Sequence, residues 1–228
     1  FSTMRECAAN VDGYLDSIID TSDADVESVA QSMKYSLFAG GKRIRAFLVL
    51  EFCRLLGGKP EAALPFAAAI EMMHTFSLIH DDLPCMDDDD LRRGKPTNHV
   101  VYGDATATLA GDALLTEAFS VASAPHIPTE LIPHAIRLLS SAAGSFGMIG
   151  GQMIDLRGEK EHLAFDALLE MHAKKTGALI RAACLLGCLS AGITDPDDVR
   201  YQAAVSYADN LGLAFQVIDD RLDAIGTE

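Results

Sequence analysis

Positive charge is scarce in this sequence: 18 Lys and Arg residues stand against 33 Asp and Glu residues among 228, a formal net charge of −15. Nucleic-acid binding and attachment to an anionic membrane surface both need concentrated positive charge, so this composition argues against either partner. An acidic chain suits instead a protein that collects cations. Apolar residues still make up 49% of the chain, too many for a disordered one.

Long apolar runs and paired cysteines are also missing. No uninterrupted apolar run approaches the roughly 20 residues that span a bilayer, so we expect no integral membrane protein. We expect no signal peptide either, because Arg5, Glu6 and Asp12 interrupt the first residues. The five cysteines form no Cys-x-x-Cys pair, and Cys184 and Cys188 are spaced like packing residues one helical turn apart. The reducing cytoplasm is the expected compartment.

Alternating strand patterns bounded by hairpin turns are absent as well. Apolar residues recur at intervals of three to four in segments 29–38, 47–56 and 66–78, which is the spacing of amphipathic helices. Gly and Pro cluster where such helices should stop, and no proline lies between Pro133 and Pro196. The sequence therefore predicts an all-α fold of about nine or ten helices in one domain.

Aspartate is concentrated in one segment, where six of the ten residues from 81 to 90 carry it. A solvated acidic surface is the ordinary explanation for a charge run. Here, however, Asp81 and Asp82 directly follow an apolar helical stretch. Unit charges ~4 Å apart repel by roughly 4 kcal/mol at an effective dielectric constant near 20. Because Mg²⁺ prefers carboxylate oxygen and neutralises such repulsion, we predict a metal site.

Pro84 decides whether Asp87 can join that site. Asp81 and Asp87 are separated by about 240° round an ideal helix. Pro84 lacks an N–H and clashes with the carbonyl four residues earlier, so the helix must kink or bulge there, which we expect to bring Asp87 back toward Asp81. An EF-hand counted from Asp81 fails, since its positions 6 and 12 are Met86 and Arg92 instead of Gly and Glu.

A second aspartate cluster stands near the end of the sequence. Asp219 and Asp223 share a helix face, and Asp220 is adjacent to the first of them. Either cluster alone is a weak signal, because exposed polar stripes are common. Two clusters at opposite ends of an all-α chain, each preceded by apolar residues, predict two helices facing each other across a cavity with metal between them.

A cavity lined by two aspartate clusters would bind an anionic ligand through bridging metal ions. Basic side chains would bind the part of the ligand that the metal ions do not reach. Gly40 and Gly41 precede a helix start whose backbone N–H groups suit an anion, and Arg side chains suit phosphate oxygens. Taken singly, each basic cluster is more readily explained as a helix-end charge or a solvated surface. His74 precedes Asp81 by seven residues on the same face, where an anion ligand and a core histidine remain equally open. The basic candidates are Lys42, Arg43, Arg45, Arg92, Arg93, Lys174 and Lys175.

The order and spacing of these motifs resemble the trans-isoprenyl diphosphate synthases, or polyprenyl synthetases. The resemblance covers nearly the whole chain and rests on segments 40–45, 77–87, 91–97, 109–114, 151–156, 175–179 and 215–223. The two-residue insertion in the first aspartate motif is similar to that of bacterial farnesyl and plant-type geranylgeranyl enzymes. The resemblance implies one polyprenyl synthetase domain over residues 1–228, an all-α bundle round a central cavity that lacks the family's C-terminal helices, and a homodimer.

The resemblance also implies a reaction and a role for each motif. Isopentenyl diphosphate would condense with dimethylallyl or geranyl diphosphate to give farnesyl diphosphate, with about three Mg²⁺ ions offsetting charge on the leaving diphosphate. Metal ligands would be Asp81, Asp82, Asp87 and Asp219, supported by Asp220 and Asp223. Catalytic residues would be Asp81, Asp219 and Lys175. The allylic substrate would contact Arg92, Lys175, Thr176 and Gln216, and isopentenyl diphosphate would contact Lys42, Arg45, His74 and Arg93.

Product length is implied by Phe76, which lies about 7.5 Å down the helix axis from Asp81. In the family, a large aromatic ring at this position goes with a farnesyl (C15) product, so Phe76, with the small Ser77 above it, is expected to be the floor of the product tunnel. An ordinary core phenylalanine is the alternative.

Three other functions stay open. A geranylgeranyl (C20) diphosphate synthase would belong to the same family. A non-catalytic subunit of a heteromeric synthase would usually have lost an aspartate motif, and both motifs are intact here. A class I terpene cyclase would lack the pair Lys42 and Arg45.

Overall fold

The computed structural model describes the backbone of residues 2–20, 22–158 and 160–225 and the side chains of residues 4–20, 22–158, 160–215 and 218. The regular secondary structure of this part of the chain is almost entirely helical, as predicted, with a five-residue π-helical segment, Ala173–Gly177, and a hairpin of strands β1 (Leu91–Arg92) and β2 (Lys95–Pro96). The α-helices are α1 (Ser2–Ile18), α2 (Glu27–Leu37), α3 (Ile44–Leu55), α4 (Pro60–Asp81), α5 (Asn98–Tyr102), α6 (Asp104–Ala122), α7 (Ile132–Ala143), α8 (Met148–Gly158), α9 (Phe165–His172), α10 (Ala178–Ser190) and α11 (Val199–Ile225).

The chain divides into two compact units. The first comprises Phe1–Leu50 and Leu64–Ile127, and the second comprises Glu51–Ala63 and Pro128–Glu228. That both belong to a single functional domain stays a prediction.

Helix α4 provides much of the core of the first unit. It is apolar round most of its circumference, and Phe66, Ile70, Met73 and Ile79 are each no more than 1% exposed. By length and composition α4 is also able to cross a bilayer, but 72% of its most apolar window is buried, and core helices of globular proteins pass the same test. The helix carries His74 and Phe76 along its length and Asp81 at its last residue.

Helix α10 occupies the equivalent place in the second unit. Ten of its residues are buried, and it packs against α7 and α11. The π-helical segment that precedes α10 is pressed against α8, because a Cβ atom added at Gly151 would lie 2.3 Å from the backbone nitrogen of Lys175. Close packing against α8 thus fixes the backbone that carries Lys175 and Thr176.

Candidate functional site

Four of the basic residues singled out from the sequence line one pocket of the first unit. Lys42, Arg45, His74 and Arg93 surround a cavity of about 640 Å³ between the loop before α3, the middle of α4 and the β1–β2 hairpin. The four come from three separate segments, and the fold brings them together. A concave site with several cations is suited to a diphosphate group.

Arg43 borders the same pocket but serves a different purpose. Its Nε and Nη2 atoms lie 2.9 and 2.8 Å from Oδ1 of Asp12, and Nη2 also donates to the carbonyl of Leu37 at 2.5 Å. Its Nη1 donates to Oε2 of Glu71 at 3.3 Å. The side chain is only 6% exposed, so its guanidinium stabilises the loop before α3 and is not presented to a substrate. These contacts also hold Arg43 at a φ of 49°, where a non-glycine residue is strained.

Glu71 supplies the buried negative charge beneath the pocket. Its Oε1 accepts the backbone N–H of Ala46 at 3.0 Å in the first turn of α3, so the carboxylate also caps that helix. Burial lowers the pKa of Arg45, Glu71 opposes that shift, and Arg93 adds to it. Arg45 Nε is buried with no hydrogen-bond partner among the described residues. The guanidinium is thus incompletely satisfied without a ligand.

The protonated form of His74 is disfavoured in this pocket. Burial, followed by the charges of Arg45, Arg93, Arg43 and Arg92, lowers its pKa well below the ordinary value of 6.5. The positive charges that add to the effect of burial on this pKa also attract an anion. Of the two interpretations left open by the sequence, the position beside Arg45 and Arg93 favours the anion-facing histidine.

The hairpin brings Arg93 to the loop before α3. Arg93 Nη1 donates to the carbonyl of Gly40, and its guanidinium lies directly over Gly41, where an added Cβ would be 2.6 Å from Nη1. Gly41 has a φ of 133°, which a side chain rarely adopts. The structure shows that the glycine pair accommodates Arg93; that its N–H groups bind an anion stays a prediction.

The first aspartate motif lies at the end of α4. The helix stops at Asp81 instead of kinking and continuing, because Pro84 cannot extend it. Residues 82–87 form a turn, and the backbone N–H of Asp87 donates to the carbonyl of Asp81 at 2.9 Å. The predicted return of Asp87 to Asp81 therefore occurs, through a turn and not through a bulged helix.

Asp82 and Arg92 hold each other at this site. Asp82 is 3% exposed, and its Oδ1 accepts from Arg92 Nε at 2.6 Å and Nη2 at 2.5 Å. Burial raises the pKa of Asp82, and the contact with Arg92 works against that rise. The sequence assigned Asp82 to metal and Arg92 to the allylic substrate; here each is the partner of the other.

The described side chains contain no group of three or more His, Cys, Asp or Glu residues that could hold a metal ion. That Asp81 and Asp87 hold Mg²⁺ stays a prediction; this ion is typically held by one or two carboxylates together with substrate phosphates and water.

In the second unit, Lys175 and Thr176 lie in the π-helical segment, a feature frequent at functional sites. Lys175 Nζ donates to Asp155 of α8. Gln152 also lies on α8, where the sequence marked it only as part of a motif. The residue is 9% exposed, and neither side-chain amide atom has a hydrogen-bond partner in the described part of the chain. Gln152 is therefore an additional candidate functional residue, and the only sequence feature that could have indicated it is a glutamine within a glycine-rich helix.

Four predicted residues lie on α11, namely Gln216, Asp219, Asp220 and Asp223, and their side chains fall outside the described residues. Phe76 is 4% exposed, which fits a tunnel floor and a core residue alike. Ser77 Oγ donates to the carbonyl of His74 at 2.9 Å.

A family model described as Polyprenyl synthetase matches residues 26–228. The chain is 51% identical over 203 residues to a geranylgeranyl diphosphate synthase of Cyanophora paradoxa, and 50% identical over 201 residues to a farnesyl diphosphate synthase of Escherichia coli K12. These alignments cover 88% and 87% of this chain and 67% of each relative. The apo crystal structure of an FPP/GFPP synthase from Zymomonas mobilis matches with a TM-score of 0.93 at 37% identity, covering 98% of this chain and 81% of that one.

Proposed function

We propose that this chain, which belongs to the polyprenyl synthetase family, makes farnesyl diphosphate from isopentenyl diphosphate and dimethylallyl or geranyl diphosphate. Prenyl transfer is the chemistry that membership of this family supports. The observation that carries the proposal is the pocket lined by Lys42, Arg45, His74 and Arg93. Isopentenyl diphosphate keeps its diphosphate during the reaction, so its site needs direct cations and no leaving-group activation. The pocket has that character.

The allylic diphosphate has the opposite requirement, because its C–O bond must break. Mg²⁺, when bound, offsets the charge that builds on the leaving diphosphate. Asp81 and Asp87 would hold the ion at the end of α4, and Asp82 would orient Arg92 through their ion pair. In the second unit, Lys175 and Thr176 are the groups proposed to bind an allylic diphosphate, with Asp155 fixing the ammonium of Lys175.

The new carbon–carbon bond joins C1 of the allylic group to the double bond of isopentenyl diphosphate. Loss of one proton from the resulting cation then restores a double bond, and we propose the released diphosphate as the base. Arg43 and Glu71 contribute by fixing the loop that carries Lys42 and Arg45, so that the attacking substrate is held in one place.

We propose C15 as the main product, with Phe76, an aromatic residue on α4 five positions before Asp81, as the floor of the product tunnel. A C20 product is the second candidate, since one relative at 51% identity is a geranylgeranyl diphosphate synthase. The dependence on Mg²⁺, a homodimeric state and a cytoplasmic location complete the proposal.

The test is the condensation assay on the full-length protein. Radiolabelled isopentenyl diphosphate is supplied with geranyl diphosphate, and the products are dephosphorylated and separated by chain length. Asp81→Ala should abolish most turnover while the helical circular-dichroism signal stays intact. Turnover of Asp81→Ala close to wild type would refute the assignment of the α4 terminus to the metal-dependent step.

A further inference from the structure

The ring of His80 contacts both the proposed tunnel floor and the backbone of α6. Its centroid lies 5.7 Å from that of Phe76, and the two rings meet edge to face at 83°. On α6, a Cβ added at Gly111 would lie 2.2 Å from Nε2 of His80 and 2.4 Å from Cδ2. The imidazole therefore rests directly on the glycine, in space that any other residue would fill.

A hydrogen bond fixes the orientation of the same ring. His80 Nε2 lies 3.0 Å from the carbonyl oxygen of Thr108, one turn before Gly111 on α6. Because a carbonyl oxygen only accepts, Nε2 carries the hydrogen. Asp112 Oδ1, at 3.8 Å from Nε2, lies on the same side. The imidazole is thus held both in position and in rotation by a helix other than its own.

We propose that His80 and Gly111 are positioning residues for product length, acting through the ring of Phe76. The inference rests on the proposed function and extends it from the tunnel floor to the residues that hold the floor. Phe76 is 4% exposed, and the imidazole packed against it limits the rotation of the phenyl ring on one side. When that limit is removed, the phenyl ring gains room to turn aside and the tunnel deepens.

Gly111 contributes by allowing the imidazole to reach this place. A methyl group at residue 111 cannot share the space with Nε2 at 2.2 Å, so the ring must leave its position. Gly111, in the 109–114 motif, therefore has a role that none of the sequence patterns indicated. It provides the space for His80, whose ring contacts Phe76.

Two substitutions test the inference from opposite sides of the contact. His80→Asn keeps a side-chain donor but removes the aromatic ring, and Gly111→Ala changes no atom of α4. We expect His80→Asn to raise the C20-to-C15 product ratio about two- to tenfold, the range that loss of one aromatic pair contact produces. We expect Gly111→Ala to change the ratio by at least about twofold. Products are compared at equal conversion, so a slower enzyme does not mimic the effect.

Gly13→Ala is the matched control, because a Cβ added at Gly13 in α1 meets nothing within 4 Å. Its product ratio should equal that of the wild type. The inference is overturned if Phe76→Ala lengthens the products while His80→Asn leaves them unchanged, since Phe76 would then act without support. It also falls if Phe76→Ala has no effect. Absence of any prenyl product from the wild type would refute the proposed function itself. If Gly111→Ala fails to fold, His80→Asn decides alone.

Discussion

Removing Arg43 should destabilise the protein more than removing any exposed arginine. The side chain is 6% exposed and its partner Glu71 is 4% exposed, so Arg43→Ala would leave a buried carboxylate without the guanidinium that neutralises it. Breaking a buried ion pair by removing one partner costs about 3–5 kcal/mol of unfolding free energy. The substitution also leaves the Leu37 carbonyl without its donor, which adds to the loss.

The assay is urea unfolding followed by circular dichroism, with Arg181→Ala as the matched control. Arg181 pairs with Asp209 at 2.7 Å, but the two side chains are 48% and 53% exposed, so its loss should cost no more than about 1 kcal/mol. The double variant Arg43→Ala with Glu71→Gln should recover part of the loss, because a neutral amide leaves no buried charge. An Arg43→Ala penalty equal to that of Arg181→Ala would refute the reasoning.

Three further outcomes follow from the same pocket. Arg45→Ala should raise KM for isopentenyl diphosphate about ten- to hundredfold, and KM for the allylic substrate much less; an equal rise in both would place Arg45 elsewhere. Because folding lowers the pKa of His74, this residue binds a proton more readily in the unfolded chain than in the folded one. The free energy of unfolding should therefore fall as the pH drops below about 6.5. His74→Gln should flatten that slope in denaturant titrations, and an unchanged slope would assign it to other groups. Lys42→Ala should weaken binding of inorganic diphosphate in calorimetry without altering the unfolding midpoint, since Lys42 is exposed; equal binding would exclude it from the anion site.

The helical fold was predictable because apolar residues recur at helical intervals over most of the chain. The hairpin was not, since each strand has only two residues and no alternation extends over so short a length. The π-helical segment Ala173–Gly177 was not predictable either, because the segment packs against Gly151 of α8, a contact between residues distant in the sequence.

The basic pocket was predictable in composition but not in the division of labour within it. Lys42, Arg43 and Arg45 look alike in the sequence, and Arg43 differs only because Asp12 and Glu71 lie far along the chain and close in space. The pairing of Asp82 with Arg92 escaped prediction for the same reason.

The most direct test of the central proposal is the chain length of the wild-type product. With Mg²⁺, isopentenyl diphosphate and dimethylallyl diphosphate, the full-length protein should give mainly farnesol after dephosphorylation, and chelation of the metal should stop the reaction. Turnover that persists without divalent metal would contradict the proposed chemistry, and a wild-type product that is mainly C20 would contradict the role of Phe76.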